Sequence, residues 1–311
     1  MPSLPPPVRP GDRIGVAALS GPVDPGRLRS GLAALERLGF EPVPAANLGS
    51  RHGLFAGEDA ERLDAFHALA ADPTVRAVLF ARGGHGVTRL LPRLDWDLLA
   101  AHPRAYVGYS DLTPFLLTVV ERLDLVAFHG PMVAADLARG LSGEEEASLL
   151  GALAGRWPER IRLAGWVREG SAEGRLMGGC LSLLTATLGT PWAPPLDGAL
   201  LFWEDLGEPL YRLDRMLTHL HLSDTLTRIR GMVVGHCTPT DCPPADADGP
   251  DAPRLGDLLR EVAGRFSGPV ATGLPAGHEV PNLTLPLGVP ARLDSAAGGL
   301  LLERPAARPG T

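Results

Sequence analysis

The stretch Arg104-Ala-Tyr-Val-Gly-Tyr-Ser-Asp-Leu-Thr-Pro114 changes its hydrophobic period partway along. Arg104 to Gly108 reads as a short buried strand. From Asp111 onward, Leu112, Phe115, Leu116 and Val119 are spaced for one apolar helical face. Ser110 therefore falls on the corner between a strand and a helix. Such a corner lifts a hydroxyl out of a sheet and sets it beside a helix N-terminus, where unpaired backbone N–H groups can hold an oxyanion. The geometry expected is a nucleophile elbow, although Leu112 stands where G-x-S-x-G has its second glycine. The same residues also fit a plain helix N-cap at Ser110 or Asp111.

Outward from this corner, strands alternate with helices. Arg13–Leu19 reads as a strand, followed by a helix with Leu28, Leu32, Leu35 and Leu38 on one face and Gly39 as its stop. Phe40–Pro44 is a brief strand, 60–71 a helix, and Val75–Phe80 a strand that runs into Arg82-Gly-Gly-His-Gly86. Leu125–Phe128 is a further strand, and Glu144–Leu153 an acidic helix. This alternation predicts an α/β fold with an N-terminal Rossmann or flavodoxin-like, mostly parallel sheet over residues 1–150. Ligands bind beyond the C-terminal strand ends of such sheets, and both the glycine-rich loop and Ser110 lie there. Residues 151–170 read as a linker, and 171–311 as a C-terminal α/β domain rich in β structure. Within it, Gly174–Cys180, Ala199–Glu204, Ile229–Gly235 and Gly268–Leu274 read as strands. Helices are expected at 181–188, 211–222 and 255–263. Thr284–Gly288 and Ala291–Asp294 read as hairpin material, Thr238–Pro253 as an exposed loop, and the last few residues as disordered.

At 311 residues with 45% hydrophobic residues, the chain can fill a substantial core. A net charge of −7, with no arginine-rich run, speaks against nucleic acid as a partner. The basic side chains are all Arg or His, because the sequence contains no Lys. The three cysteines (Cys180, Cys237 and Cys242) are too few for a disulfide framework. His236, Cys237 and Cys242 lack a second cluster that would complete a zinc site, so no metal or other cofactor is expected. The N-terminus lacks the basic and apolar regions of a secretory signal, and no apolar run reaches the roughly 20 residues of a membrane helix. The expectation is a cytoplasmic protein with no membrane partner.

A serine nucleophile needs a base, and the base an orienting acid. Nine histidines compete for that role. His52, His67 and His102 read as surface residues, and His219 and His221 face different ways on a helix. His129 ends a strand near the elbow. His278 sits in Pro-Ala-Gly-His after a strand, on a loop held by turn residues. For the acid, Glu204, Asp205 and Glu208 cluster at a strand end. Strand alternation puts Glu204 and Asp205 on opposite faces, and spacing alone does not choose between them. In the glycine-rich loop, the backbone N–H of Gly84 would pair with that of Asp111 to form an oxyanion hole. Alternatively, the loop is a tight turn without a ligand, and the chain a non-catalytic α/β binding protein.

The motifs together resemble the LD-carboxypeptidase family of serine peptidases. They are Ala81-Arg-Gly-Gly-His-Gly86, Gly108-Tyr-Ser-Asp-Leu-Thr113, His129-Gly-Pro, Met177-Gly-Gly-Cys-Leu, Glu204-Asp-Leu-Gly-Glu, Tyr211-Arg-Leu-Asp-Arg215 and Gly277-His-Glu-Val-Pro-Asn282. The likeness runs from Gly11 to Leu293. It implies Ser110 as nucleophile, Glu204 as acid and His278 as base, in a site between an N-terminal α/β domain and a β-rich C-terminal one. It implies hydrolysis of the bond to a terminal D-residue, with D-Ala released from a cytoplasmic muropeptide tetrapeptide, and a homodimer. Arg82 is the candidate for the substrate's terminal carboxylate. His85 departs from the family's usual residue and is a candidate substrate contact. A sister branch resembling microcin immunity peptidases cleaves an aminoacyl-nucleotide conjugate instead.

Overall fold

The computed structural model describes residues 2–240 and 254–303. Cys242, most of the expected Thr238–Pro253 loop and the expected disordered tail lie outside the described residues. In chain order the structure runs β1 (Arg13–Ala17), α1 (Pro25–Arg37), β2 (Glu41–Pro44), α2 (Asp59–Ala71), β3 (Val75–Phe80), α3 (Val87–Leu90), α4 (Trp96–Ala101), β4 (Ala105–Gly108), α5 (Thr113–Leu123), β5 (Ala127–His129) and α6 (Gly143–Leu153). It continues with β6 (Arg160–Arg162), β7 (Gly165–Arg168), β8 (Ser171–Cys180), α7 (Leu181–Ala186), β9 (Leu200–Leu206), α8 (Leu210–Leu222), α9 (Thr225–Arg228), β10 (Gly231–Thr238), α10 (Leu255–Ala263), β11 (Val270–Thr272), β12 (Leu285–Leu287), β13 (Pro290–Asp294) and β14 (Gly299–Leu302).

The described residues divide into two compact units, one of residues 2–157 with 281–288, the other of residues 158–280 with 289–303. The first unit carries a six-stranded sheet in the order β12-β5-β4-β3-β1-β2. Its β2-β1-β3-β4-β5 portion is parallel throughout, the flavodoxin-like order. Strand order reverses between β1 and β3, so the chain leaves those two strands in opposite directions across the sheet. The exits of β1, β3 and β4 consequently lie side by side at the switch point, where such sheets bind ligands. Inside the sheet, Val78, Phe80, Tyr106 and Val107 are fully buried, and Phe115 from α5 packs edge-on against Phe80 and Tyr106.

Two local features differ from the sequence expectation. Leu28 and Leu32 of α1 and Leu38 at its C-cap are only partly buried, whereas Gly31, Ala34 and Leu35 are covered. The reason is close packing: a side chain at Gly31 would overlap the backbone of Val133 in a π-helical turn at Val133–Leu137. Leu285–Leu287 and Ala291–Asp294 do not form a hairpin with each other. β12 joins the first sheet antiparallel to β5, and β13 pairs instead with β8 and β14. Residues 281–288 thus leave the C-terminal segment to complete the first unit.

The second unit's eight-stranded sheet has the order β6-β14-β13-β8-β9-β10-β11-β7. Its centre, β8 to β11, is parallel, and its edges are antiparallel. The segment expected as a linker supplies β6 and β7, which pair with β14 and β11. Leu200 to Trp203 of β9 are fully buried, as expected of a strand in the middle of a covered sheet.

Glu145, at the start of α6, ties the returning segment 281–288 into the first unit. Its fully buried carboxylate accepts N–H bonds from Ser142 (2.8 Å) and Asn282 (2.9 Å) and pairs with Arg139. Burial pushes this carboxyl up, but Arg139 and the two N–H groups outweigh burial and hold it at about 2, below its usual 4.5. A depressed carboxylate contributes stability above its unfolded value and loses it as pH falls through the folded one. Urea unfolding is therefore expected to show roughly 3 kcal/mol of stability disappearing between about pH 4.5 and 2. Glu145→Gln should lack that component, and an unchanged pH slope in the variant would refute the assignment.

Candidate active site

Ser110 stands where β4 turns into a short 3₁₀ segment, Ser110–Leu112, that leads into α5. Its φ is +61°, in the left-handed region that L-residues other than glycine rarely adopt. Held strain of this kind at a strand–helix corner is the backbone signature of a nucleophile elbow. From the adjacent exit of β3, Gly83 lies flush against Ser110. A Cβ built there would come within 2.9 Å of the serine Cβ and 3.0 Å of its Oγ. Gly84 packs on the backbone of Gly21, whose N–H donates to the Gly83 carbonyl at 3.1 Å. The glycine-rich loop therefore brings its backbone to the elbow, with Gly83 nearest to the hydroxyl.

The Asp111 side chain is buried, and its Oδ2 accepts from Ser20 Oγ at 2.6 Å and from the Val87 N–H at 2.9 Å. Arg82 is exposed, and its Nη1 donates to the Pro22 carbonyl at 3.0 Å. His85 is also exposed, with its ring 5.7 Å from that of Phe55. His129, the competing base by sequence, is buried beside Tyr109, with ring centroids 5.5 Å apart.

In the second unit, Glu204 lies near the end of β9, within its buried run, and is fully buried itself. Its Oε2 lies 2.7 Å from His278 Nδ1. Gly277 makes this approach possible: its φ is +124°, and a Cβ there would fall 2.8 Å from Glu204 Oε2. Asp205 points the other way and accepts N–H bonds from Ser182 (2.7 Å) and Leu206 (2.9 Å). Strand alternation left the two acids equal, and the structure pairs Glu204 with the histidine. Burial pushes the Glu204 carboxyl above its ordinary value, and the hydrogen bond and charge of His278 oppose that push. Burial, with Asp205 and Glu204 nearby, raises the Cys237 thiol to about 12. Among the described residues no three His, Cys, Asp or Glu side chains group to hold a metal ion.

Sequence reasoning missed Arg62, Ser20 and Phe55. The buried Arg62 donates to the carbonyls of Leu19 and Gly86 and pairs with Asp59 at 2.6 Å. A signal was present, since Arg62 precedes Phe66 by one turn and Leu69 by two, on the apolar face of α2.

Two family models match the chain: the LD-carboxypeptidase N-terminal domain over residues 14–130 and the LD-carboxypeptidase C-terminal domain over residues 173–293. A Streptomyces coelicolor relative, whose name assigns it to the carboxypeptidases only provisionally, is 41% identical over 309 residues, covering 96% of this chain and 95% of its own. The crystal structure of muramoyltetrapeptide carboxypeptidase from Oxalobacter formigenes superposes with a TM-score of 0.81 at 33% identity, covering 94% of this chain and all of that one. The microcin C7 self-immunity protein MccF of Escherichia coli, in complex with aspartyl sulfamoyl adenosine, superposes with a TM-score of 0.86 at 26% identity, covering 99% of this chain and 100% of that one.

Proposed function

Because the chain belongs to the LD-carboxypeptidase family of serine peptidases, we propose that it releases the terminal D-alanine from murein tetrapeptides through Ser110, His278 and Glu204. The observation that carries this reading is the 2.7 Å pairing of the buried Glu204 carboxylate with His278. With Nδ1 committed to the carboxylate, Nε2 is the ring atom that exchanges a proton with Ser110. Ser110 Oγ attacks the scissile carbonyl as its proton passes to His278. Glu204 holds the ring's tautomer and offsets the imidazolium charge. The N–H groups of Gly84 and Asp111 stabilise the oxyanion. The tetrahedral adduct collapses to an acyl-enzyme while His278 protonates the departing amine, so D-alanine leaves intact. Water, deprotonated by the same histidine, then releases the shortened peptide and restores Ser110.

Recognition of a free C-terminal carboxylate calls for a cation, and Arg82 on the loop beside Ser110 is assigned to it, with His85 as a further substrate contact. The same reading puts the enzyme in the cytoplasm, where recycled muropeptides arrive, and in a homodimer, as is common in the family. Among the described residues, no helix is long and apolar enough to cross a membrane.

Mass spectrometry of purified tetrapeptides should show the terminal alanine released from the L,D-bonded form and retained in its L,L isomer. Aminoacyl sulfamoyl adenosine, incubated in parallel, tests the reading suggested by the MccF likeness. Faster turnover of that conjugate would overturn the murein assignment while leaving the serine mechanism intact.

A further inference from the structure

The glycine-rich loop has to hold a backbone N–H still, yet its glycines give it little stiffness of its own. The peptide unit that joins Gly86 to Val87 at the loop's exit is gripped at both polar ends. Its carbonyl accepts from Arg62 Nη1 at 3.2 Å, and its N–H donates to Asp111 Oδ2 at 2.9 Å. Both gripping side chains are buried, Arg62 at 0% and Asp111 at 1% exposure. The same two side chains also hold the exit of β1. Arg62 donates to the Leu19 carbonyl, and Ser20 Oγ donates to the Asp111 carboxylate at 2.6 Å. Gly86 suits this arrangement in particular. Its φ is +123°, and a Cβ there would come within 2.7 Å of Arg62 Nη1 and 2.6 Å of the Phe55 ring on which that guanidinium lies.

We infer that Arg62 and the Asp111 carboxylate are positioning residues that clamp the Gly86–Val87 peptide plane and thereby set the distance between the loop's oxyanion donor and the elbow's. The inference rests on the proposed roles of Ser110 and the two oxyanion N–H groups, and gives Asp111 a second task beyond its backbone N–H. A carboxylate oxygen that accepts from both Ser20 and Val87 fixes the elbow to two strand exits at once. The Gly84 N–H shares its planar peptide unit with the Gly83 carbonyl that Gly21 anchors, and the clamped peptide holds the other end of the loop two residues on. The oxyanion exists only along the reaction path, so a slack clamp weakens transition-state binding and leaves ground-state binding alone.

The experiment compares Asp111→Ala, Ser20→Ala, Arg62→Met and Arg62→Lys on the full chain with a murein tetrapeptide. Asp111→Ala is expected to lower kcat by about 10²-fold, as for the loss of one oxyanion donor, with KM within about threefold. Ser20→Ala, which removes only one hydroxyl, should lower kcat by about 3- to 10-fold in the same pattern. Arg62→Lys should recover part of the loss seen in Arg62→Met, because one donor can still reach Gly86. A tetrahedral phosphonate analogue should lose affinity in step with kcat/KM. Substrate affinity, measured calorimetrically in a Ser110→Ala background, should not change when Asp111→Ala is added. The clamp is refuted if folded Asp111→Ala keeps kcat within twofold of the parent, or if the whole loss lies in KM. Should Asp111→Ala not fold, Ser20→Ala decides by the same criterion. Ser110→Ala alone separates this failure from that of the underlying reading. A clamp without effect leaves Ser110→Ala inactive, whereas an active Ser110→Ala removes the nucleophile assignment itself.

Discussion

Ser110→Ala is expected to lower kcat for D-alanine release by a factor on the order of 10⁴ to 10⁶, with KM within a few-fold of the parent. The hydroxyl is small and sits on a strained corner (φ +61°), so its removal leaves no large cavity and relieves none of the elbow's packing. The side chains around it, from Leu112 to Phe115, bury the same surface in the variant. Alanine is also no better suited than serine to the left-handed region, so thermal unfolding should move little. Residual turnover would come from the oxyanion donors alone. Stopped assays on the tetrapeptide, with D-alanine quantified, give the number. Retention of more than about a hundredth of the parental rate would mean that another group attacks the carbonyl.

The second large effect belongs to Glu204→Gln, expected to lower kcat by about 10³ to 10⁴. Glutamine keeps the shape of the side chain, so the fit against Gly277 survives. What changes is charge and donor pattern. An amide can turn its NH₂ toward His278 Nδ1, which forces the proton onto Nε2 and leaves that atom unable to accept one from serine. It also cannot offset the imidazolium. Because burial already favours the neutral form of this carboxyl, the neutral isostere should unfold no earlier than the parent. A slow but stable enzyme is therefore the expected combination. Normal turnover in the variant would show that the pair at 2.7 Å is structural rather than catalytic.

The parts of the fold that sequence made legible are those whose pattern is local. β3 at Val75–Phe80 and α10 at Leu255–Ala263 have the limits expected, because an apolar run broken only at Arg76 and a clean helical period carry their own boundaries. The corner at Ser110 was visible for the same reason. β12 was not assigned to its sheet because a three-residue strand, Leu285-Pro-Leu287, says nothing about which edge will accept it. Pro286 withholds one ladder donor wherever it lands. β6 and β7 were lost in a segment without clear alternation, since every residue of β7 is half-buried. The choice between Glu204 and Asp205 also lay beyond local pattern, because it depends on a loop 74 positions away. Family resemblance, not periodicity, named Glu204.

The return of residues 281–288 has a consequence for biosynthesis. The sheet that carries Ser110 lacks its last strand, and Glu145 lacks the N–H of Asn282, until residues 281–288 have left the ribosome. A fragment ending near residue 157 is a sheet with an open edge and a buried acid short of one donor. The serine is thus built early but framed late. A truncated translation product would carry the hydroxyl without the finished scaffold that makes it an enzyme.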